Sequence, residues 1–135
     1  MAAKNNTPLE NVEQKQVVKF LENNGLLFSA PAQSTWTKSY KQKRENYAMG
    51  VRPGLPDLFI YIPPDKSIDG EPYLIPIEMK RAVKALSRVS PEQKLWHEAI
   101  NSVPSNNVAA YICYGADEAI RIVSHYLKNP DDSIF

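Results

Sequence analysis

Two short stretches hold residue types that can do chemistry together: Pro56-Asp57 at the head of one apolar run and Glu78-Met79-Lys80 at the end of the next. Twenty residues lie between the two acids. Side chains alternate between the faces of an extended strand, so Glu78 and Lys80 share a face and Met79 points to the other. If the two runs pair, Asp57 approaches Glu78. Two carboxylates held together repel unless a divalent cation neutralises them, and hard oxygen donors select magnesium or manganese over softer metals. A lysine beside them orients a water or steadies charge developing on a phosphate. This is the inventory for metal-assisted hydrolysis of a phosphodiester, in which the metal polarises the phosphoryl oxygen and activates a water for in-line attack. The pattern is built from common residues, and a Lys80–Glu78 salt bridge on a partly solvated strand also accounts for it.

The elements that must position these residues follow from periodicity and turn chemistry. Leu9, Val12, Val17, Phe20 and Leu21 recur at near-helical spacing before Gly25, which predicts a helix over 8–24 with Thr7 as its cap and Pro8 in its first turn. Leu26 to Ala30 reads as a short strand, and residues 31–53 lose periodicity and read as a long functional or mobile loop. Asp57–Ile62 and Tyr73–Lys80 read as antiparallel strands joined by the turn-rich PPDKSIDGEP. Ser90-Pro91-Glu92-Gln93 opens a helix with a capping box, whose buried face is expected from Leu95, Ala99 and Ile100 with Trp96 alongside. Val108–Tyr114 reads as a strand covered on both faces, parallel to the third by a right-handed crossover, and Ala116–Leu127 as a closing helix. The order is αβββαβα. One domain over 1–135 is expected, with its core over about 8–127 and a frayed tail at 128–135.

The runs Gly50-Val51-Arg52-Pro53-Gly54-Leu55-Pro56-Asp57-Leu58-Phe59, Ile75-Pro76-Ile77-Glu78-Met79-Lys80 and Leu86-Ser87-Arg88-Val89-Ser90-Pro91-Glu92-Gln93-Lys94-Leu95-Trp96 closely resemble the VRR-NUC family of the PD-(D/E)XK nuclease superfamily. The resemblance reaches back to Glu13-Gln14-Lys15-Gln16 and forward to Tyr114-Gly115-Ala116-Asp117-Glu118-Ala119. It implies an α/β fold with a restriction-endonuclease-like core, a mixed four-stranded sheet flanked by helices. It also implies a Mg2+- or Mn2+-dependent DNA endonuclease with Asp57 and Glu78 as metal ligands, Lys80 as the catalytic lysine and the Met79 carbonyl as a backbone ligand. Glu13 matches the acid of the family's first helix that faces the site, with Glu10 a nearby competitor, and Gln93 matches a glutamine that lines the site. Capping alone also explains Gln93, and a solvated helix face also explains Glu13. Gly54 reads as a tight backbone approach before the strand. Small members of the family resemble Holliday-junction resolvases that act as homodimers, which makes branched DNA the expected substrate and a second copy the expected partner. A nuclease of this size would suit a virus or mobile element. The alternative is a non-catalytic nucleic-acid- or partner-binding module that retains the fold.

The 135 residues carry a formal charge of only +1, which taken alone counts against nucleic acid. Position reverses that reading. Lys38, Lys41, Lys43, Arg44 and Arg52 oppose only Glu45, and Lys80, Arg81, Lys84, Arg88 and Lys94 oppose only Glu92, so each stretch has a local balance of +4. Both flank the acidic pair and are expected to grip phosphates, with Lys38, Lys41, Lys43, Arg44, Arg52, Arg81, Lys84 and Arg88 as DNA contacts. Trp36, Tyr40 and Tyr47 lie in the first stretch, where stacking on bases or covering loop contacts are both open. His97 and His125 lack metal-pair spacing and read as surface or boundary residues, whereas Trp96 reads as core. Cys113 is the single cysteine and sits in an apolar run, so no internal disulfide forms and a buried thiol in a reducing cytoplasm is expected. No signal peptide or membrane span is read in the sequence.

Overall fold

Strand β3 (Tyr73–Lys80) sets the architecture: every residue from Ile75 to Lys80 is buried, as expected for an inner strand covered on both faces. The computed structural model describes residues 7–31 and 39–131. On one side β3 pairs antiparallel with β2 (Leu58–Ile62), which pairs antiparallel with β1 (Leu27–Ser29). On the other it pairs parallel with β4 (Tyr111–Tyr114), giving a mixed sheet of order β1-β2-β3-β4. The predicted pairings and the parallel crossover are all present. The last strand is shorter than Val108–Tyr114, because Val108 makes only an isolated bridge to Leu74.

The register sorts the sheet into two faces. Cross-strand partners share a face, so the pairs Leu58↔Ile77, Ile60↔Ile75 and Met79↔Cys113 form one apolar surface. Helices α1 (Glu10–Asn23) and α4 (Ala116–Ser124) cover it with Val17, Phe20, Leu21, Ala119, Ile120 and Val123. Cys113 lies in this core as a free thiol, and burial pushes its pKa up to about 12, so it stays protonated. The other face carries Glu78 and Lys80, and it is approached by α3 (Pro91–Asn101), the helix whose Gln93 hydrogen-bonds both side chains.

Several boundaries depart from the sequence reading. Helix α1 starts at Glu10 behind Leu9, with no side-chain cap; Thr7 instead uses its carbonyl to accept from Arg81. At its other end Gly25, at φ +62°, and Leu26 close the helix by donating to Glu22 and Leu21 carbonyls. The supposed loop 31–53 contains a further helix, α2 (Tyr40–Ala48), capped by Ser39, which accepts from Gln42 N–H. No α2 residue is buried, so no apolar stripe existed to announce it. The described order is therefore αβαββαβα, with a short 3-10 turn at Lys84–Leu86.

The face expected to bury α3 is the wrong one. Leu95 is 66% exposed and Trp96 38%, Ala99 is exposed and Ile100 only partly covered; the buried residue of α3 is His97. Trp96 is therefore not core, and His97 is not a surface residue, while His125 is exposed behind α4 as expected. The tail is not free throughout: Asn24 and Asp131 exchange two hydrogen bonds of 2.7 and 2.8 Å, and the rest of the supposed tail, 132–135, lies outside the described residues. Lys38 and Trp36 also lie outside them. Among the described residues no helix is long and apolar enough to cross a membrane.

Candidate active site

Because Leu58 pairs with Ile77 in an antiparallel ladder, the preceding Asp57 falls opposite Glu78. The loop leading to Asp57 is fixed by Gly54, whose φ is +95° and whose absent Cβ would lie 2.6 Å from the Glu92 backbone. This is the tight approach expected of it, and the surface approached is the first turn of α3. Asp57 then anchors itself on β3, its Oδ2 accepting from Met79 N–H at 2.7 Å.

Gln93 is both a cap and a site residue. Its backbone N–H donates to Ser90 Oγ, and its Oε1 accepts from Ser90 N–H at 2.9 Å, completing the predicted capping box. The same Oε1 also accepts from Lys80 Nζ at 3.0 Å, and Nε2 donates to Glu78 Oε2 at 3.0 Å. Both ends of the amide are thus used, and only this orientation satisfies all partners. Lys80 Nζ donates further to the Arg88 carbonyl at 2.7 Å and lies 3.9 Å from Glu78 Oε2. Glu78 and Lys80 are each under 5% exposed, so a solvated surface salt bridge does not describe them.

The electrostatics of the cluster centre on Glu78. Burial, then a hydrogen bond and repulsion from Asp57, push its carboxyl up to about 9; Lys80 pulls it back and Glu10 adds to the rise. One oxygen, Glu78 Oε1, is buried without a hydrogen-bond partner. A buried carboxyl pushed toward its neutral form beside a second carboxyl group, with one buried acceptor unsatisfied, is a donor set that a hard divalent cation would fit. No group of three or more His, Cys, Asp and Glu side chains is arranged to hold a metal among the described residues. The oxygen donors present are therefore Asp57 and Glu78. Met79 adds its N–H to Asp57 and its side chain to the core.

Glu13 is placed elsewhere: buried on α1, its Oε2 accepts the Ala116 N–H at the first turn of α4, where the helix end favours an anion. Glu10, one turn earlier, is the α1 acid whose charge reaches Glu78, and its Oε1 accepts from Ser87 Oγ at 3.0 Å. Position alone could not separate the two, since both lie in the first turn of α1. One further contributor escaped the sequence reading: the Arg88 carbonyl, which is invisible in a side-chain pattern.

The basic residues divide by use. Lys41, Lys43 and Arg44 are exposed on α2. Arg52 stacks 3.5 Å over the Tyr47 ring and donates to the Tyr47 and Val51 carbonyls, so Tyr47 covers a loop contact. Tyr40 is 82% exposed. Arg81 ties down the chain before α1 through the Thr7 and Pro8 carbonyls, and Lys84 lies over the Tyr114 ring.

Residues 9–117 match the family model described as the VRR-NUC domain. Among solved structures, one described as a VRR_NUC domain protein is similar over 96% of this chain and 94% of its own, with a TM-score of 0.56 and 23% identity. That likeness carries the fold. No curated protein matches the sequence.

Proposed function

Since this chain belongs to the VRR-NUC family, a family of nuclease domains, we propose that it is a Mg2+- or Mn2+-dependent endonuclease that hydrolyses phosphodiester bonds in DNA. The observation that carries the reading is the cluster of buried Glu78 and Lys80 with half-buried Asp57 and Gln93, in which Glu78 Oε1 is left unsatisfied. A bound cation supplies polarisation of the phosphoryl oxygen and a more acidic water. Asp57 and Glu78 hold it, with the Met79 carbonyl and an acid of α1, Glu13 or Glu10, as further donors. Lys80 keeps a charged amine beside Glu78, held by the Arg88 carbonyl and Gln93, so little reorganisation is needed when charge develops on the phosphate. Gln93 fixes the distance between Lys80 and Glu78 from the capped end of α3.

Lys41, Lys43, Arg44, Lys84 and Arg88 are the backbone contacts of this reading, with Lys38, two residues before α2 in the sequence, added to them and Arg52 and Arg81 shaping the loops that carry them. Branched DNA such as a four-way junction is the first substrate to test. A second copy of the chain is the partner, supported by the uncovered apolar residues Leu95, Trp96 and Val103 at α3 and its exit. Cys113, a buried free thiol, suits a reducing cytoplasm.

The test is cleavage of four-way, flap, single-stranded and duplex DNA with each metal, comparing wild type with Asp57→Ala, Glu78→Ala and Lys80→Ala. Each substitution is expected to lower kcat about 100-fold or more. Metal-dependent cleavage unchanged in all three overturns the site. Sedimentation of the protein on four-way DNA tests the pairing, and a monomer there rules out symmetric resolution.

A further inference from the structure

Beyond Lys80 the chain leaves the sheet, makes the 3-10 turn Lys84–Leu86 and comes back to where it left. Residues 82–86 are all exposed, so the loop is not closed by burial. Two adjacent hydrogen bonds hold its neck instead. Ser87 Oγ accepts from Arg81 N–H at 2.9 Å, and one residue further out on each side Lys80 Nζ donates to the Arg88 carbonyl at 2.7 Å. The Ser87 hydroxyl gives its one proton to Glu10 Oε1 on α1, at 3.0 Å. Arg81 fastens the same neck to the chain before α1, donating to the Thr7 and Pro8 carbonyls at 2.7 and 3.2 Å. Ser87 is thus the joint at which the loop after β3 meets both its own start and the first turn of α1.

We propose that Ser87 is a positioning residue for Lys80: its hydroxyl closes the neck of the loop, ties it to α1, and so holds the Arg88 carbonyl where the amine meets it. The inference rests on the nuclease reading for what Lys80 does there, and names a residue which that reading does not use. Lys80 is 4% exposed and its amine ends a flexible four-carbon stem, so the acceptors around it decide where it points. Its two acceptors are fixed differently. Gln93 is locked by the cap of α3, whereas Arg88 is exposed and its carbonyl is placed by the residue before it. Withdrawing that carbonyl leaves a buried N–H unsatisfied, which the amine avoids by moving. Misplacing a reacting group by about 1 Å can cost about 100-fold in rate. Serine suits the joint because one hydroxyl accepts and donates at once, and alanine does neither. The backbone of Ser87 is extended, at φ −133° and ψ 151°, a conformation that threonine adopts readily.

The experiment compares wild type, Ser87→Ala, Ser87→Thr, Lys80→Ala and the double variant Ser87→Ala with Lys80→Ala. Two readouts are taken: the nitrogen shift of Lys80 Nζ by NMR in the metal-free protein, assigned by its loss in Lys80→Ala, and kcat and KM for cleavage of DNA. Ser87→Ala is expected to move the Nζ shift and to lower kcat about 10-fold at unchanged KM. Ser87→Thr, which keeps the hydroxyl, restores both. In the Lys80→Ala background Ser87→Ala is expected to cost nothing further, because the group it positions is gone. An unmoved Nζ shift in Ser87→Ala overturns the inference. So does an equal loss of kcat with and without the Lys80 amine, which marks a serine acting elsewhere, through Glu10 or on folding alone. Failure of the wild type to cleave any DNA overturns the nuclease reading by itself, and the metal-free Nζ shift then decides whether Ser87 places Lys80.

Discussion

At Glu78 a proton and a divalent cation compete for the same oxygens. The carboxyl titrates near 4.5 in an unfolded chain and near 9 in the folded protein, so between these values the folded state holds a proton that the unfolded state has released. The stability this group contributes without metal is fully present below about 4.5 and is lost as pH rises through about 9. In chelator, the melting temperature of wild type is expected to fall from pH 6 to pH 9, and that of Glu78→Gln, neutral throughout, to fall less. Superimposable profiles would contradict the assignment. Stabilisation by Mn2+ should grow over the same range, because binding must displace the proton. The two acids of α1 separate in the same kind of measurement. Glu13→Ala removes the acceptor at α4 and should cost about 1 kcal/mol, roughly 4 °C in Tm for a domain of this size. Glu10→Gln should leave Tm unchanged while weakening Mn2+ binding, since Glu10 is the acid whose field reaches Glu78. The opposite pattern would return the metal role to Glu13.

Among the elements, α3 is the one whose placement matters most for the site, and its docking depends on Gly54. Alanine there meets a positive φ, costing about 1 kcal/mol, and puts a methyl 2.6 Å from the Glu92 backbone, which no rotamer relieves. Gly54→Ala is therefore expected to lose about 2 kcal/mol or more in denaturant melts and to lose cleavage out of proportion to the unfolded fraction, because Gln93 shifts with α3. Full activity in a stable Gly54→Ala would show that α3 does not set the site. The comparison of sequence with structure turns on the same helix. Its cap was legible to the residue, since Ser90, Pro91 and Gln93 act locally, and so were the bounds of β3 and the approach of Asp57 to Glu78, which follow from strand pairing alone. Which face of α3 would be covered was not legible. Periodicity identifies an apolar face, but only the packed chain shows what covers it, and here the covered side chain is the His97 imidazole. Helix α2 was missed for a related reason: it packs on nothing that would require an apolar stripe.

Over the whole molecule the formal charge of +1 conceals local excesses, with Lys80 buried beside Glu78 and other bases concentrated in exposed stretches. Helix α2 is the extreme case: nine residues, none buried, with Lys41, Lys43 and Arg44 among them. A helix of that length without packing is marginal in water, so its order in the working complex must come from what it binds. If that is the DNA backbone, amide hydrogen exchange over 40–48 should be fast in the free protein and slow on DNA. Replacing Lys41, Lys43 and Arg44 by alanine should leave Tm unchanged, because no packed side chain is lost. It should also flatten the plot of log affinity against log salt by up to about 3, roughly one for each phosphate contact removed. Affinity should fall alike for duplex and branched DNA, since phosphate contacts carry no sequence. An unchanged salt slope with α2 still protected would mean that protein, and not DNA, covers this helix, and the second copy of the chain would then be the surface to map.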